Sequence, residues 1–400
     1  MTKYWVWLSE ALDRGSTRLK PLLEKYSDAY SIYKTPINQI CEHINLSQNE
    51  FKRFTNKSLV RAREIINECN ESNISIVCFG DEKYPKNLKE IDNPPACLYI
   101  KGSYQNFNNL PIVCIVGRRE ISDYGKMVAW SLSARLTAGG IFVLSGGALG
   151  GDTAAHEGAM AVGGKTIAIL PCGINYGYLK TNAFLRSQIC DNGCLISELP
   201  PNTPLYKNAF HLRNRLLSGM SLGVVAIEAG ERSGTFKTAR YAAEQSRDVF
   251  VVTGRPDDKN YLGSNSLLRD GATPVFTADD IFLEYIPDYP NIIDVEKAMS
   301  TNLSRLYRIL NSPKFSPDDV PQQEKKPVFN KQEKKTKKII DETLPKNIKL
   351  VYNCIDKDVF TVDDLILSGV PFEEVLASVT QLELYGYIKA ISGGRFALVY

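Results

Sequence analysis

Ser145-Gly146-Gly147-Ala148-Leu149-Gly150-Gly151-Asp152-Thr153-Ala154-Ala155-His156 is the stretch on which the reading of this 400-residue chain turns. It follows an apolar run, Ile141 to Leu144, and enters an alanine-rich helical pattern, so it joins a buried strand to a helix. Four glycines in six residues cost conformational entropy. They mark a place that needs bare backbone N–H groups or crowded packing. Asp152 is placed to cap the helix, and His156 lies four residues on, along the same face. Two readings of the pair stand side by side: a structural cap with a buried, hydrogen-bonded histidine, or a ligand contact with acid–base capacity.

Similar apolar runs recur on both sides of this loop: Ile112–Val116, Thr166–Leu170, Cys194–Ile196, Gly223–Ile227 and Val249–Val252. Amphipathic stretches such as Met127–Leu136 and Phe236–Gln245 separate several of them. Near-continuous apolar strands alternating with helices imply an α/β fold, a mostly parallel sheet of extended Rossmann-like type covered on both faces. Ligands on such sheets bind beyond the carboxyl ends of the strands, so the strand-to-helix loops are the candidates for function.

Three further loops carry charge there. Gly117-Arg118-Arg119 follows the first central strand and sets two guanidiniums over the crevice. From Leu199 to Ile227 there is no acidic residue, while Lys207, Phe210, His211, Arg213, Asn214 and Arg215 fall within it. Basic side chains interleaved with aromatics suit a phosphate backbone with bases stacked beside it; of Arg213 and Arg215, one is expected at the ligand and the other as a brace. The stretch Glu228 to Thr235 enters a helix that Ser233 or Thr235 caps. With Gly234, these residues offer unpaired amides to an anion. Lys237 sits in that first turn, where the helix dipole disfavours a cation; an anionic ligand or a salt bridge to Glu231 accounts for it. Two nucleotide motifs fail. Gly164-Lys165-Thr166 lacks the upstream glycine of a Walker A loop and enters a strand, and glycines 146, 147, 150 and 151 miss the dinucleotide spacing.

Around this centre, residues 1–75 carry leucines at helical spacing and read as a small helical domain of SAM or helix-hairpin-helix type. Residues 76–290 form the sheet domain. Residues 291–347 read as a helical extension running into a flexible charged linker, with nine lysines against six acidic residues from 313 onward. Residues 348–400 read as a winged helix whose helical run carries Glu373, Glu374 and Glu383. Its seven acidic against four basic residues from 349 on argue against a grip on duplex DNA. The net charge of +3 equals the surplus of the linker, and residues 110–290 balance at seventeen of each sign, so any nucleic acid must bind through a local patch. The nine cysteines are scattered; Cys190 and Cys194 have no second pair to complete a zinc site. No apolar run suits a membrane span or a leader, so a cytoplasmic protein without metal or cofactor is expected.

Several of these segments together resemble the DprA/Smf family. Ile115-Val116-Gly117-Arg118-Arg119 with Tyr124-Gly125 is similar to its first strand and loop, and Ser145 to His156 to its most diagnostic motif. Ser197-Glu198, Phe210, Arg213-Asn214-Arg215, Glu228-Ala229, Ser233-Gly234-Thr235 and Thr238-Ala239 follow in family order, then Gly254, Gly263, Asn265, Leu267 and Gly271-Ala272. The resemblance implies a non-enzymatic protein that binds single-stranded DNA, forms a homodimer and helps load RecA recombinase during natural transformation. It implies phosphate contact by Arg119, DNA contact at Gly146 and Gly147, and a basic role for Lys180 after the third strand. It implies a dimer or RecA surface near Leu267 and Leu268. Arg118 departs from the small residue usual there. The alternative reading is a nucleotide-processing enzyme of phosphoribohydrolase type; Thr238 stands where that class has a glutamate, which removes its acid–base group.

Overall fold

Alternation sorts the central strands onto two cores. Val113 and Ile115 face one side of the sheet and Ile112, Cys114 and Val116 the other, all fully or nearly buried. The computed structural model describes residues 1–303 other than 104, 105 and 179, then 340–341, 344–355, 359–362, 365, 375, 378–379, 381–383, 385–391 and 395–399. The chain divides into two units, Met1–Pro313 and Lys314–Tyr400.

The first unit begins with six helices: α1 (Thr2–Ala11), α2 (Leu19–Tyr26), α3 (Ala29–Lys34), α4 (Ile37–Cys41), α5 (Gln48–Thr55) and α6 (Val60–Glu71). Strand β1 (Ser75–Cys78), helix α7 (Lys86–Glu90) and strand β2 (Cys97–Gly102) follow. The central alternation runs β3 (Ile112–Val116), α8 (Asp123–Ala138), β4 (Phe142–Ser145), α9 (Gly151–Ala161), β5 (Thr166–Ile169), α10 (Ala183–Asn192) and β6 (Gly193–Ser197). It continues with α11 (Ala209–Met220), β7 (Gly223–Ala226), α12 (Gly234–Glu244), β8 (Asp248–Val252), α13 (Leu262–Arg269), β9 (Thr273–Val275), α14 (Asp279–Tyr285) and α15 (Val295–Ser300).

These strands form one nine-stranded sheet in the order β1-β2-β6-β5-β4-β3-β7-β8-β9. Strands β3 to β9 pair in parallel, while β2 pairs antiparallel with both β6 and β1. The chain winds from β3 outward through β4, β5 and β6, then returns to start again at β7 on the other side of β3. The direction therefore reverses between β3 and β7, and loops leaving the carboxyl ends of these two strands diverge and open a crevice.

Helices α8, α9 and α14 cover one face over β3, β4, β7 and β8, and α7 and α11 cover the opposite face. The six N-terminal helices do not keep a core of their own. Trp5, Val6, Leu8, Leu19, Leu22 and Ile65 share a single cluster with Cys97 and Tyr99 of β2, Ala168 of β5 and Leu195 of β6. The boundary expected at residue 75 is thus crossed by continuous packing, because the first helices cover apolar sheet positions that would otherwise face water.

In the second unit, α16 (Lys346–Cys354) precedes a three-stranded antiparallel sheet, β10 (Val359–Thr361), β12 (Arg395–Leu398) and β11 (Ile388–Ile391) in that spatial order. The hairpin expected there is present, and Val375, Val379 and Leu382 are buried with Ile348, Val351 and Phe360. The start of the second helical run at Pro371, its Glu373 and Glu374, the turn at Gly393-Gly394 and the linker 304–339 lie outside the described residues.

Candidate nucleic-acid interface

The crevice at the β3/β7 reversal holds a cavity of about 560 Å³. Its walls come from the end of β3 and the loop after it (Val116 to Glu120), the loop after β4 and first turn of α9 (Ala148, Asp152), α11 (Phe210, Arg213, Asn214, Leu217), and the loop after β7 with the start of α12 (Gly230 to Thr235, with Thr238). Four segments distant in sequence thus meet where the sheet topology places a ligand.

Packing between glycines sets the first wall. Gly150 has φ +78°, and a Cβ on it would overlap the carbonyl oxygens of Arg118 and Arg119. A Cβ on Gly117 would come within 2.9 Å of the Cα of Gly151, and the Gly151 N–H donates to the Arg118 oxygen at 3.0 Å. The start of α9 therefore props the arginine loop from below. The Arg119 guanidinium lies 4.6 Å from the centre of the Phe210 ring, a cation–π contact that fixes both at the cavity. Tyr178 meets the same ring edge-on at 5.7 Å. The Arg118 guanidinium hydrogen-bonds the side chain of Asn260.

Arg213 forms part of the floor. It is buried, donates from Nη1 to the Ile169 oxygen at 2.7 Å and from Nε to Asn214 Oδ1 at 3.2 Å. Asp152 is buried beside it and accepts from the Ala148 N–H at 3.3 Å. Burial pushes the Asp152 carboxyl above the usual carboxylate range, with the charge of Arg213 opposing the shift. At the opposite wall Ser233 caps α12, its Oγ accepting from the Phe236 N–H at 3.1 Å. The Lys237 N–H donates to the Ser233 oxygen. Among the described residues, hydrogen-bond partners are found for neither the Gly234 nor the Thr235 N–H, which line the cavity at the positive end of the helix.

A model of the DNA recombination-mediator protein A family matches residues 75–286, just over half of the chain. The chain belongs to this family. It is 33% identical over 237 residues to the DNA processing protein DprA of Bacillus subtilis, a match that covers 59% of this chain and 78% of that one. It is 29% identical over 337 residues to the protein Smf of Escherichia coli, covering 82% and 78%. Among solved structures, DprA from Streptococcus pneumoniae superposes with a TM-score of 0.63 at 27% identity, covering 71% of this chain and 98% of that one.

Measured against what was expected of a DNA recombination-mediator protein, the site residues divide. Arg118, Arg119, Phe210, Arg213, Asn214, Ser233, Gly234 and Thr235 all line the cavity. Lys180, Lys207 and Lys237 are exposed and lie outside its lining. Arg215 is a correction. It is buried in an ion pair with Glu198, on a side of α11 that faces Ser9, Arg14, Pro94 and Pro95, and so braces the sheet against the N-terminal helices. Gly146 and Gly147 are a second correction, since neither lines the cavity. A Cβ on Gly146 would overlap the Arg213 guanidinium, and Gly147 presents its oxygen to Asn182 Nδ2 at 3.3 Å.

Asp152 and His156 do not act together. Asp152 lies inside the first turn of α9, where Gly150 holds the cap position. His156 is sealed in the core, with Nδ1 2.8 Å from Thr166 Oγ1. That hydroxyl itself donates to the Val143 oxygen, so Nδ1 carries the hydrogen. Glu228 is buried too, accepting from the Ser122 N–H at 3.2 Å and from the Ser122 and Tyr261 hydroxyls. Leu267, expected on a partner surface, packs inward against Ala226, Ala239 and Val251, while Leu268 is half-buried. Arg232 and Glu120 also line the cavity without having been expected there, and Glu231, expected as a salt-bridge partner of Lys237, lines it as well. Arg232 was legible as a third cation on a loop already suspected.

No group of three or more His, Cys, Asp or Glu side chains is arranged to hold a metal among the described residues. No helix there is long and apolar enough to cross a membrane.

Proposed function

We propose that this cleft binds single-stranded DNA and that the protein acts as a recombination mediator, holding a strand without turning it over. The observation that carries the reading is Arg119 stacked on Phe210 beside the unpaired amides of α12: a cation for a phosphate, an aromatic face for a base and fixed donors, all in one crevice. The enzymatic alternative finds no support in the arrangement. His156 is fully buried against Thr166 and does not line the cavity, and Thr238, whose hydroxyl donates to the Gly234 oxygen at 2.9 Å, stands in the place of the required carboxylate.

The test is fluorescence anisotropy with a labelled oligo-dT across a salt series, with and without duplex competitor. Parental protein should show affinity falling log-linearly with salt. Arg119→Glu should weaken binding at least tenfold and flatten the slope. An Arg119→Glu protein that binds as the parent does would remove the reading.

Self-association and delivery of the strand to RecA, in natural transformation, complete the proposal. They rest on the family pattern from Gly263 to Gly271, and Leu268 is the better placed of the two leucines to reach a partner. Sedimentation of Leu268→Arg and its RecA-loading activity test both. A cytoplasmic setting accords with nine free cysteines, six of them buried.

A further inference from the structure

The segment between β5 and α10 is left over by this account, and its composition is peculiar. From Gly158 to Cys190 there is no acidic residue, while Lys165, Lys180 and Arg186 are present. It is a second acid-free stretch, separate from the one that supplies Phe210 and Arg213. Within it two large side chains stand in solvent. Phe184, on the first turn of α10, is 71% exposed, and Tyr176 is 41% exposed. Burying a phenylalanine is ordinarily favourable by a few kcal/mol, and α10 does bury Leu185 and Ile189 on its other side.

This segment is tied to the cleft at Phe210 and to the glycine loop and helix beside it. Tyr178, two residues from Tyr176, packs its ring against Phe210. Asn182, two residues from Phe184, donates to the Gly147 oxygen and at 3.1 Å to Thr153 Oγ1, both on the loop and helix that follow β4. Sheet order supplies the direction. The carboxyl ends of β7, β3, β4 and β5 lie side by side, and the cavity occupies the β7/β3 end of that row. From β3 to β5 is two strand spacings, ~10 Å, or roughly three stacked nucleotide steps.

We propose that a strand held in the cleft continues along this row and stacks a base on Phe184, with Tyr176 beside it and Lys180 on the phosphates between. The inference rests on the cleft reading above and extends it from a local grip to a directed track. Exposed rings on a segment that carries cations and no carboxylate of its own suit a polyanion bearing flat bases.

Binding of oligo-dT of about six and about sixteen nucleotides separates the two claims, the range over which single-strand sites of this kind fall. The variants are Phe184→Ala, Tyr176→Ala and Phe184→Trp, in the full chain. Phe184→Ala should leave the short oligonucleotide unaffected and weaken the long one roughly five- to hundredfold, the worth of one base–aromatic stack. Tyr176→Ala should act in the same direction, and Phe184→Trp should retain parental affinity. Equal affinity of Phe184→Ala and parent for the long oligonucleotide overturns the track. Loss of short and long binding together in Phe184→Ala also overturns it, since the residue would then belong to the cleft. Failure of the cleft reading itself is seen separately, as an Arg119→Glu protein that keeps its affinity for the short oligonucleotide.

Discussion

Arg213 and Arg215 stand two positions apart on α11 and serve opposite faces, as i and i+2 must on a helix. Arg213 reaches the cavity floor; Arg215 pairs with Glu198 while its Nε and Nη1 stay buried without a hydrogen-bond partner. Removing Arg215 strands a buried carboxylate, so Arg215→Ala should lower unfolding stability by about 3–5 kcal/mol in urea titrations, with the salt slope of DNA binding by the folded fraction unchanged. An altered slope with unchanged stability would return Arg215 to the interface. The i, i+2 spacing already separated a ligand-facing arginine from a bracing one; which was which depended on Glu198 and Ile169, partners distant in the chain. His156 makes a pH prediction. Burial lowers its pKa to about 3, against about 6.5 in an unfolded chain. The unfolded state therefore binds the extra proton first, and stability present above pH 6.5 is lost as the pH falls toward 3, by about 1.4 kcal/mol per unit from this group. Denaturant midpoints measured from pH 7 to pH 4 should fall less steeply in His156→Gln than in the parent.

The strand–loop–helix unit from β4 to α9 shows what a glycine-rich stretch can conceal. Its glycines read equally well as bare amides for a ligand or as crowded packing, and the sequence holds no information to separate the two. The partners do so, and they are distant in the chain: Arg213 against Gly146, the β3 loop against Gly150 and Gly151. Gly146→Ala should push the Arg213 guanidinium out of place, destabilising the fold by about 1–3 kcal/mol and weakening single-strand binding although Gly146 itself does not line the cavity. Thermal unfolding and anisotropy on the same preparation check both effects; a Gly146→Ala protein with parental values for each would show that Arg213 can move aside freely. Strand positions were much more legible than loop roles. All six central strands were recognisable as apolar runs to within a residue or two, because burial on both faces writes itself into composition. The short edge strand β9, Thr273–Val275, left no such signature, having two exposed residues of three.

At the scale of the whole chain, charge was the poorest guide and order of motifs the best. A balance of seventeen cations to seventeen anions over 110–290 conceals a cavity where Arg118, Arg119, Arg213 and Arg232 face Glu120, Asp152 and Glu231. The division at residue 75 was misleading, since the helical composition before it is real but the core it fills belongs jointly to the sheet. Unit Lys314–Tyr400 is different, with its own buried cluster around Val351, Tyr352 and Leu382. Deleting residues 345–400 should leave affinity for oligo-dT within about twofold, in keeping with the acidic balance of that region, where a cation deficit disfavours phosphate contact. A collapse of binding on this deletion would assign the tail a share of the grip.

The contact between Gly117 and Gly151 also sets the spacing of one side of the crevice. With no side chain between them and the Gly151 amide held by the Arg118 carbonyl, the arginine loop and the head of α9 meet backbone to backbone, and a side chain at either glycine would drive them apart. The facing lip is open instead: a Cβ on Gly234 would meet nothing within 4 Å and one on Gly230 only the Lys259 oxygen at 3.7 Å. Close packing on one side and open backbone on the other make an added side chain costly at Gly117 or Gly151 and sterically free at Gly234.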